Sequence, residues 1–239
     1  KVFEGFSAMT PAPVFVFMGN FLSQSYGAQT AKTLKNCFDV LCDVILEFEN
    51  LSTQAQFIFI PGPKDIGSGV CNILPRRPLP SFCTSRLAQK LPKAVFGTNP
   101  TRVRYCTQEI VLFREDVIGK MRRNCILAPK TDALDDKQIS YHLVKTLVDQ
   151  AHLLPLPLHI SPIYWEYDHA LRLYPLPDLL VLADKFDTYR DVYSGTTAFN
   201  PGSFVTTDFS FIVYSPHKLR TFQTLHVGKE DETEMLMDL

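Results

Sequence analysis

The chain has 239 residues, 46% hydrophobic and 21% charged, which fits one large globular domain with or without a small appendage. Its formal net charge of −1 provides no overall field to draw it to nucleic acid or to a membrane surface. Its six cysteines form neither a CxxC pair nor a zinc-type Cys/His spacing, and no apolar run is long enough to span a bilayer.

The run Val14-Phe15-Val16-Phe17-Met18, between Pro13 and Gly19, predicts a strand buried on both faces. A loop from Gly19 to Gly27 follows. Then Ala31, Leu34, Phe38, Leu41 and Ile45 repeat at helical spacing. Cys37 and Cys42 fall on this helix and are expected in the core. Reduced, buried thiols, and an intracellular compartment with them, are the expectation for the set. Phe57-Ile58-Phe59-Ile60 predicts a second buried strand, and strand–helix–strand is the signature of a parallel sheet. This strand stops at Pro61-Gly62-Pro63-Lys64-Asp65. In open α/β sheets ligands bind just beyond the carboxyl ends of strands. The loop therefore has the position of an active-site loop, but Pro63 offers no ligand atom and Lys64 brings a positive charge.

Residues 67–80, rich in Gly and Pro, predict a loop, and 84–91 a short helix. Short strands are expected at 95–96, 103–105 and 110–113, close enough for antiparallel or mixed pairing. Asp116 is placed to cap a helix running to about Arg123. Residues 131–137 read as a polar, exposed loop. Ile139, Leu143 and Leu147 mark a helix to about Gln150. His152-Leu153-Leu154-Pro155-Leu156-Pro157 then opens a proline-punctuated stretch, expected as loop with edge-strand pieces closely packed by Tyr164, Trp165 and Tyr167. Residues 179–182 predict a fully buried strand. Phe209, Phe211 and Val213 alternate with Ser210 and Ile212 as a late strand. Residues 1–228 read as one domain. Residues 229–239 read as an acidic tail, disordered or bound to a partner.

The loops after these elements share a pattern. Gly19-Asn20 follows the first strand, Pro61 to Asp65 the second, Ala151-His152 a helix, and Ala183-Asp184-Lys185-Phe186 the buried strand. Asn200-Pro201-Gly202-Ser203-Phe204 precedes the late strand. In order and spacing they resemble the motif loops of calcineurin-like metallophosphoesterases, which bind two metals between two packed sheets. A narrower resemblance rests on Pro61 to Asp65, Tyr105-Cys106-Thr107-Gln108-Glu109-Ile110 and Phe113-Arg114-Glu115-Asp116. It also rests on His152-Leu153 with Pro155-Leu156-Pro157-Leu158, on Tyr164-Trp165, on Pro177-Asp178 through Ala183-Asp184-Lys185, and on the Asn200 turn. Together these resemble the second (B) subunits of DNA polymerase epsilon, inactivated members of the phosphoesterase family, from about Val14 to Phe211.

The resemblance implies an α/β fold of two packed mixed β-sheets flanked by helices, the phosphoesterase sandwich. The first strand, with its Asp-x-His motif, and an oligonucleotide-binding-fold domain and a helical domain would lie upstream of Lys1. It also implies a dismantled metal site. Asn20 stands for the bridging aspartate, Pro63-Lys64 for Asn-His, and Asp184 and Phe186 for the two histidines of Gly-His-x-His. Asp65 and His152 keep their positions. No cofactor, no catalytic residue and no metal ligand are then expected. The implied role is a non-catalytic accessory subunit in the nucleus during DNA replication. It would scaffold the C-terminal region of the polymerase catalytic subunit, and reach replicative helicase components through the upstream part. DNA contact would be weak or indirect, and membrane contact absent. Tyr164, Trp165 and Tyr167 are the candidate partner surface, since interface cores favour aromatic residues.

Plainer readings stand beside these. Asp65 beside Lys64 suits a turn or an ion pair, His152 a helix-end cap, and Asp184-Lys185 a solvated turn. Tyr167-Asp168-His169 suggests a His–carboxylate pair, but no nucleophile motif accompanies it. The basic groups Arg76-Arg77, Arg102/Arg104 and Lys120/Arg122/Arg123 read as solvated faces. The alternative functions are a metal-dependent phosphodiesterase or nuclease with a reduced site, and an autonomous DNA-binding module. The ligand count argues against the first and the net charge against the second.

Overall fold

The protein's structure, a computed structural model, describes residues 1–24, 27–65, 73–127, 136–207, 209–216 and 221–226. The first layer contains α1 (Val2–Phe6), β1 (Val14–Met18), α2 (Ala28–Leu46), α3 (Glu49–Gln54), β2 (Gln56–Ile60), α4 (Ser81–Lys90) and β3 (Ala94–Phe96). Its three strands run parallel in the order β1-β2-β3. The register sets Phe15 beside Phe57, Phe17 beside Phe59, and Phe59 beside Phe96. These rings stack with centroids 5.2–5.3 Å apart. The same face meets Leu34, Phe38, Cys42 and Ile45 of α2 and Cys83 and Leu87 of α4.

The second layer contains β4 (Thr101–Tyr105), β5 (Gln108–Arg114), α5 (Val117–Arg123), α6 (Asp136–Asp149), a 3-10 helix (Trp165–Leu171), β6 (Leu179–Ala183), β7 (Tyr189–Tyr193) and β8 (Thr196–Asn200). Its sheet has the order β4-β5-β6-β8-β7. The inner three strands are parallel, and β4 and β7 are antiparallel edges. Every residue of β6 is buried. Leu179 and Val181 turn toward the first sheet, where, with Leu112 and Phe199 of their own sheet, they meet Ile58 and Ile60. Leu180 and Leu182 turn toward α6, where Val144 and Leu147 are fully buried. Truncating a side chain as enclosed as Leu180 to alanine costs about 2–5 kcal/mol. The order of layers is helices, sheet, sheet, helices: two sheets flanked by helices, as the resemblance implies. A hairpin of β9 (Ser210–Ser215) and β10 (Thr221–His226) lays Ile212 and Tyr214 against the seam between the sheets.

Several expectations need correcting. Val14 and Val16 are 48% and 41% exposed, because β1 is an edge strand here and only its phenylalanine face is covered. Cys42 and Cys83 are buried, but Cys37, Cys106 and Cys125 are exposed; Cys37 lies on the outer side of α2. Helix α6 already includes Asp136 and Lys137, while 66–72, 131–135 and the tail 229–239 lie outside the described residues. Phe209 precedes the late strand, with φ 56 and an exposed ring. Tyr164, Trp165 and Tyr167 do not pack the proline-rich stretch closely; all three are exposed. The Tyr189–Asn200 hairpin was not expected. Its two-residue turn, Ser194-Gly195, takes φ 50 and 83, the left-handed pair that matches the strands' twist. Among the described residues no helix is long and apolar enough to cross a membrane.

Candidate functional site

The carboxyl ends of β1, β2, β5, β6 and β8 converge on one cleft between the sheets. The first two loops meet there through backbone. A Cβ on Gly19 would lie 1.9 Å from Asp65 Oδ2 and 2.6 Å from the Gly62 nitrogen. A Cβ on Gly62 would lie 2.6 Å from Asn20 Oδ1. Only glycine permits this approach. Asn20 Oδ1 accepts from the Lys64 N–H at 2.8 Å. Asp65, 3% exposed, accepts from the Phe21 N–H at 2.9 Å and the Gly62 N–H at 2.8 Å, one on each carboxylate oxygen. Burial pushes its carboxyl above the usual range, opposed by those two N–H groups and by nearby Arg114 and Arg76. Asp65 is thus a buried turn former. Lys64 points to solvent, and Pro63 is half-buried beside it.

On the second sheet Asp184 is not a solvated turn. Its Oδ2 accepts from the Ile118 N–H at 2.9 Å, and its Oδ1 from the Phe186 N–H at 3.2 Å. Asp184 therefore caps α5 from across the sheet, the role expected of Asp116. Asp116 makes no cap bond because Arg114 (2.9 Å) and Lys185 (3.0 Å) hold its carboxylate. Burial pushes Asp184 upward in pKa, with Asp116 adding to it. Burial also acts to raise Asp116, but Arg114 and Lys185 outweigh it and leave that carboxyl lowered. Asn200 ties the loops together. Its Oδ1 accepts from the Asp184 and Gly202 N–H groups at 3.1 and 3.0 Å, and its Nδ2 donates to the Phe186 and Asp187 carbonyls. The Phe186 ring packs against the α6-side core.

Two guanidiniums complete the cleft. Arg114, 7% exposed, donates from Nε to the Gly19 carbonyl and from Nη1 to the Ala183 carbonyl (3.0 Å) and to Asp116. Arg76, 2% exposed, pairs with Glu115 and donates to the Arg114 carbonyl at 3.2 Å, which overturns its reading as a solvated residue. Lys120 reaches the other Glu115 oxygen at 3.1 Å. Asn99, fully buried, donates to the Pro61 and Arg114 carbonyls and accepts from the Arg114 N–H.

His152 belongs to a different cluster. Its Nδ1 accepts from the Leu154 N–H at 3.0 Å, so Nε2 carries the proton and donates to Asp168 at 3.2 Å. Asp168 also accepts from Arg172, and it is Asp168's neighbours His152 and Arg172, not His169, that form the His–carboxylate group. Burial acts to raise Asp168, but its bonds to Arg172 and His152 hold it lower. The trio fastens the end of α6 to the 3-10 helix, with Leu153 and Leu171 bonded alongside. Beyond it Tyr164, Trp165, Tyr167 and Tyr174 are exposed, Trp165 by 74% and Tyr174 by 85%.

A two-metal centre needs several oxygen or imidazole lone pairs aimed into one space. Here both Asp65 oxygens face backbone donors, Asp184 caps a helix, Asn20 accepts from Lys64, and Pro63 has nothing to offer. His152 is bonded elsewhere, and a guanidinium lies between the strand ends. These residues do not fit the group. Among the described residues no cluster of three or more His, Cys, Asp or Glu is arranged to hold a metal ion. Asn20, Asp65, Asp184 and the Asn200 turn stood out in the sequence, whereas Asn99 did not and Arg76 read as solvated rather than as a buried residue of this site. Arg114 and Glu115 stood in the Phe113-Arg114-Glu115-Asp116 motif without a role, and Asp116 only as a helix cap. The available signal was an Arg-Glu-Asp run directly after a buried strand.

Fold and site together define a two-sheet α/β scaffold whose strand-end cleft is closed by its own side chains. The chain belongs to the B-subunit family of DNA polymerases alpha and epsilon, whose sequence pattern matches residues 1–191. It is 46% identical over 213 residues to DNA polymerase epsilon subunit 2 of Homo sapiens, covering 88% of this chain and 39% of that protein. It is 44% identical over 220 residues to the DNA polymerase epsilon B-subunit of Arabidopsis thaliana, covering 90% and 40%. The chain thus spans about two fifths of the length of these relatives. Among solved structures, an archaeal phosphodiesterase aligns over 89% of this chain and 98% of its own, with 10% identity and a TM-score of 0.39.

Proposed function

We propose that this chain is part of a non-catalytic accessory subunit of DNA polymerase epsilon, a phosphoesterase-type scaffold that keeps the sandwich without the metal centre. It acts in the nucleus by holding the C-terminal region of the catalytic subunit and joining it to the replication machinery, including the replicative helicase through its upstream part. Contact with DNA is weak or indirect. The observation that carries this reading is the cleft. Asn20, Asp65 and Asp184 are engaged in internal hydrogen bonds, and the Arg114 guanidinium lies between the strand ends of the two sheets. The family membership and the names of the relatives support the same reading.

Tyr164, Trp165 and Tyr167 supply the docking surface: large, amphipathic, exposed and carried at the start of a kinked 3-10 segment that His152, Asp168 and Arg172 fasten to the end of α6. Truncating a central interface tryptophan typically costs about 2 kcal/mol or more, roughly thirtyfold in affinity. Trp165→Ala in the full-length accessory protein is expected to weaken co-purification with the catalytic subunit to that extent. Undiminished co-purification of a Tyr164→Ala/Trp165→Ala variant moves the interface elsewhere. Manganese-dependent hydrolysis of a chromogenic phosphodiester, abolished by Asp65→Asn, would overturn the non-catalytic reading itself.

A further inference from the structure

We infer that Arg114 is a built-in structural cation: one fixed guanidinium that joins the two sheets at the strand ends, so that the sandwich holds together without divalent metal. The inference rests on the reading of the cleft as unable to hold metals and adds what takes their place.

The geometry is specific. Arg114 ends β5 in the second sheet. Its Nε reaches the Gly19 carbonyl just past β1 in the first sheet, and its Nη1 reaches the Ala183 carbonyl at the end of β6, at 3.0 Å. Asp116 neutralises the charge at 2.9 Å. The partners are two carbonyls and a carboxylate, the hard oxygen donors that would otherwise suit a cation such as magnesium or calcium. A guanidinium is always charged and presents its donors in a planar fork, so one side chain can serve oxygens on both sheets. It is also held from behind. Asn99 bonds both the N–H and the carbonyl of Arg114 while donating to Pro61 at the end of β2, and Arg76 donates to the same Arg114 carbonyl. The fork therefore starts from a fixed backbone, and the cleft side of Asp65 feels two buried positive charges. The Gly19, Pro61 and Ala183 carbonyls at the strand ends are paired through the Arg114 and Asn99 side chains.

The test is hydrogen exchange on the purified full-length accessory protein in complex with the catalytic subunit, comparing Arg114→Lys with the native residue. Lysine keeps the charge but has a shorter reach and no planar fork, so it holds neither the Gly19 nor the Ala183 carbonyl in the geometry that the two separate guanidinium nitrogens give. Each lost charge-assisted bond should raise exchange about tenfold or more. The expected result is faster exchange in both strand-end loops, 19–21 and 183–186, with α6 unchanged. Faster exchange in one loop only, or in neither, overturns the clamp. Arg114→Met is the companion variant. A lower unfolding midpoint, or failure to fold, agrees with the clamp, and an unchanged midpoint overturns it. A chelator or excess manganese should leave the native midpoint where it is. If either moves it, the metal-free reading of the cleft fails, a result distinct from intact loops in Arg114→Lys.

Discussion

At the strand-end cleft a guanidinium is 7% exposed; on the segment that follows α6 an indole is 74% exposed. The residue types are inverted relative to their usual places, charge inside and aromatic outside. The two regions differ in whether their unusual groups have partners within the chain. Arg114, Arg76, Asp65, Asp184, Asn99 and Asn200 are bonded to strand ends and to one another. Trp165, Tyr167 and Tyr174 turn a large apolar area to solvent on a backbone anchored by His152, Asp168 and Arg172. Buried polar residues with satisfied bonds belong to stability. The exposed aromatics are the residues of the proposed docking surface.

Substitutions can break that division, and the largest effect is expected deepest in the cleft. Glu115→Ala strands the Arg76 guanidinium and should remove about 3–5 kcal/mol, read from urea unfolding of the purified protein. A loss below about 1 kcal/mol would mean that Arg76 finds another counter-charge. Asp184→Ala removes the cap on α5 and should cost about 1–2 kcal/mol, while Asp184→Asn, which keeps an acceptor, should cost less. Asp116→Asn comes next, at about 1 kcal/mol at neutral pH. Its sign with pH is fixed. The folded pKa of Asp116 is lowered, so its contribution is complete above the unfolded value of 3.8 and disappears as pH falls through the folded value. Unfolding midpoints of native and Asp116→Asn protein should converge in acid below that point. Smallest of all, Trp165→Ala should change stability by less than about 0.5 kcal/mol, even as it weakens partner binding. A large loss of stability there would put Trp165 on the structural side of the comparison.

Much of the layer arrangement was legible because periodicity reports burial directly. The run 14–18, the stripe Leu34/Phe38/Ile45 and the run 179–182 all fall on the elements they predict. What escaped were elements without such a signature. The 3-10 helix lies in a segment dominated by proline and aromatic residues, and its side chains serve the surface more than a core stripe. The β7–β8 hairpin had a usable sign in Ser194-Gly195, but Arg190 and Asp191 obscure the apolar alternation around it. At the site, residue identity showed Asn20, Pro63-Lys64 and Asp184 at positions where the resemblance implies metal ligands. It could not show what these loops bond to, since Asn99 and Pro61 are 38 residues apart and Arg114 and Gly19 are 95 apart. Asp116 illustrates the same limit. Sequence places it at the helix start, but two cations take its carboxylate and a more distant Asp184 makes the cap.

The burial of β6 between two parallel neighbours also sets an order of events during synthesis. Leu179 pairs with Ile110 on one side and Thr197 on the other. A chain leaving the ribosome can close the β1–β2–β3 ladder once Phe96 has emerged. It cannot complete the second sheet until Asn200 is out, and until then the apolar faces of β5 and β6 lack their partners. Between the emergence of residues 96 and 200 the second sheet is therefore the part of this two-sheet unit open to wrong association.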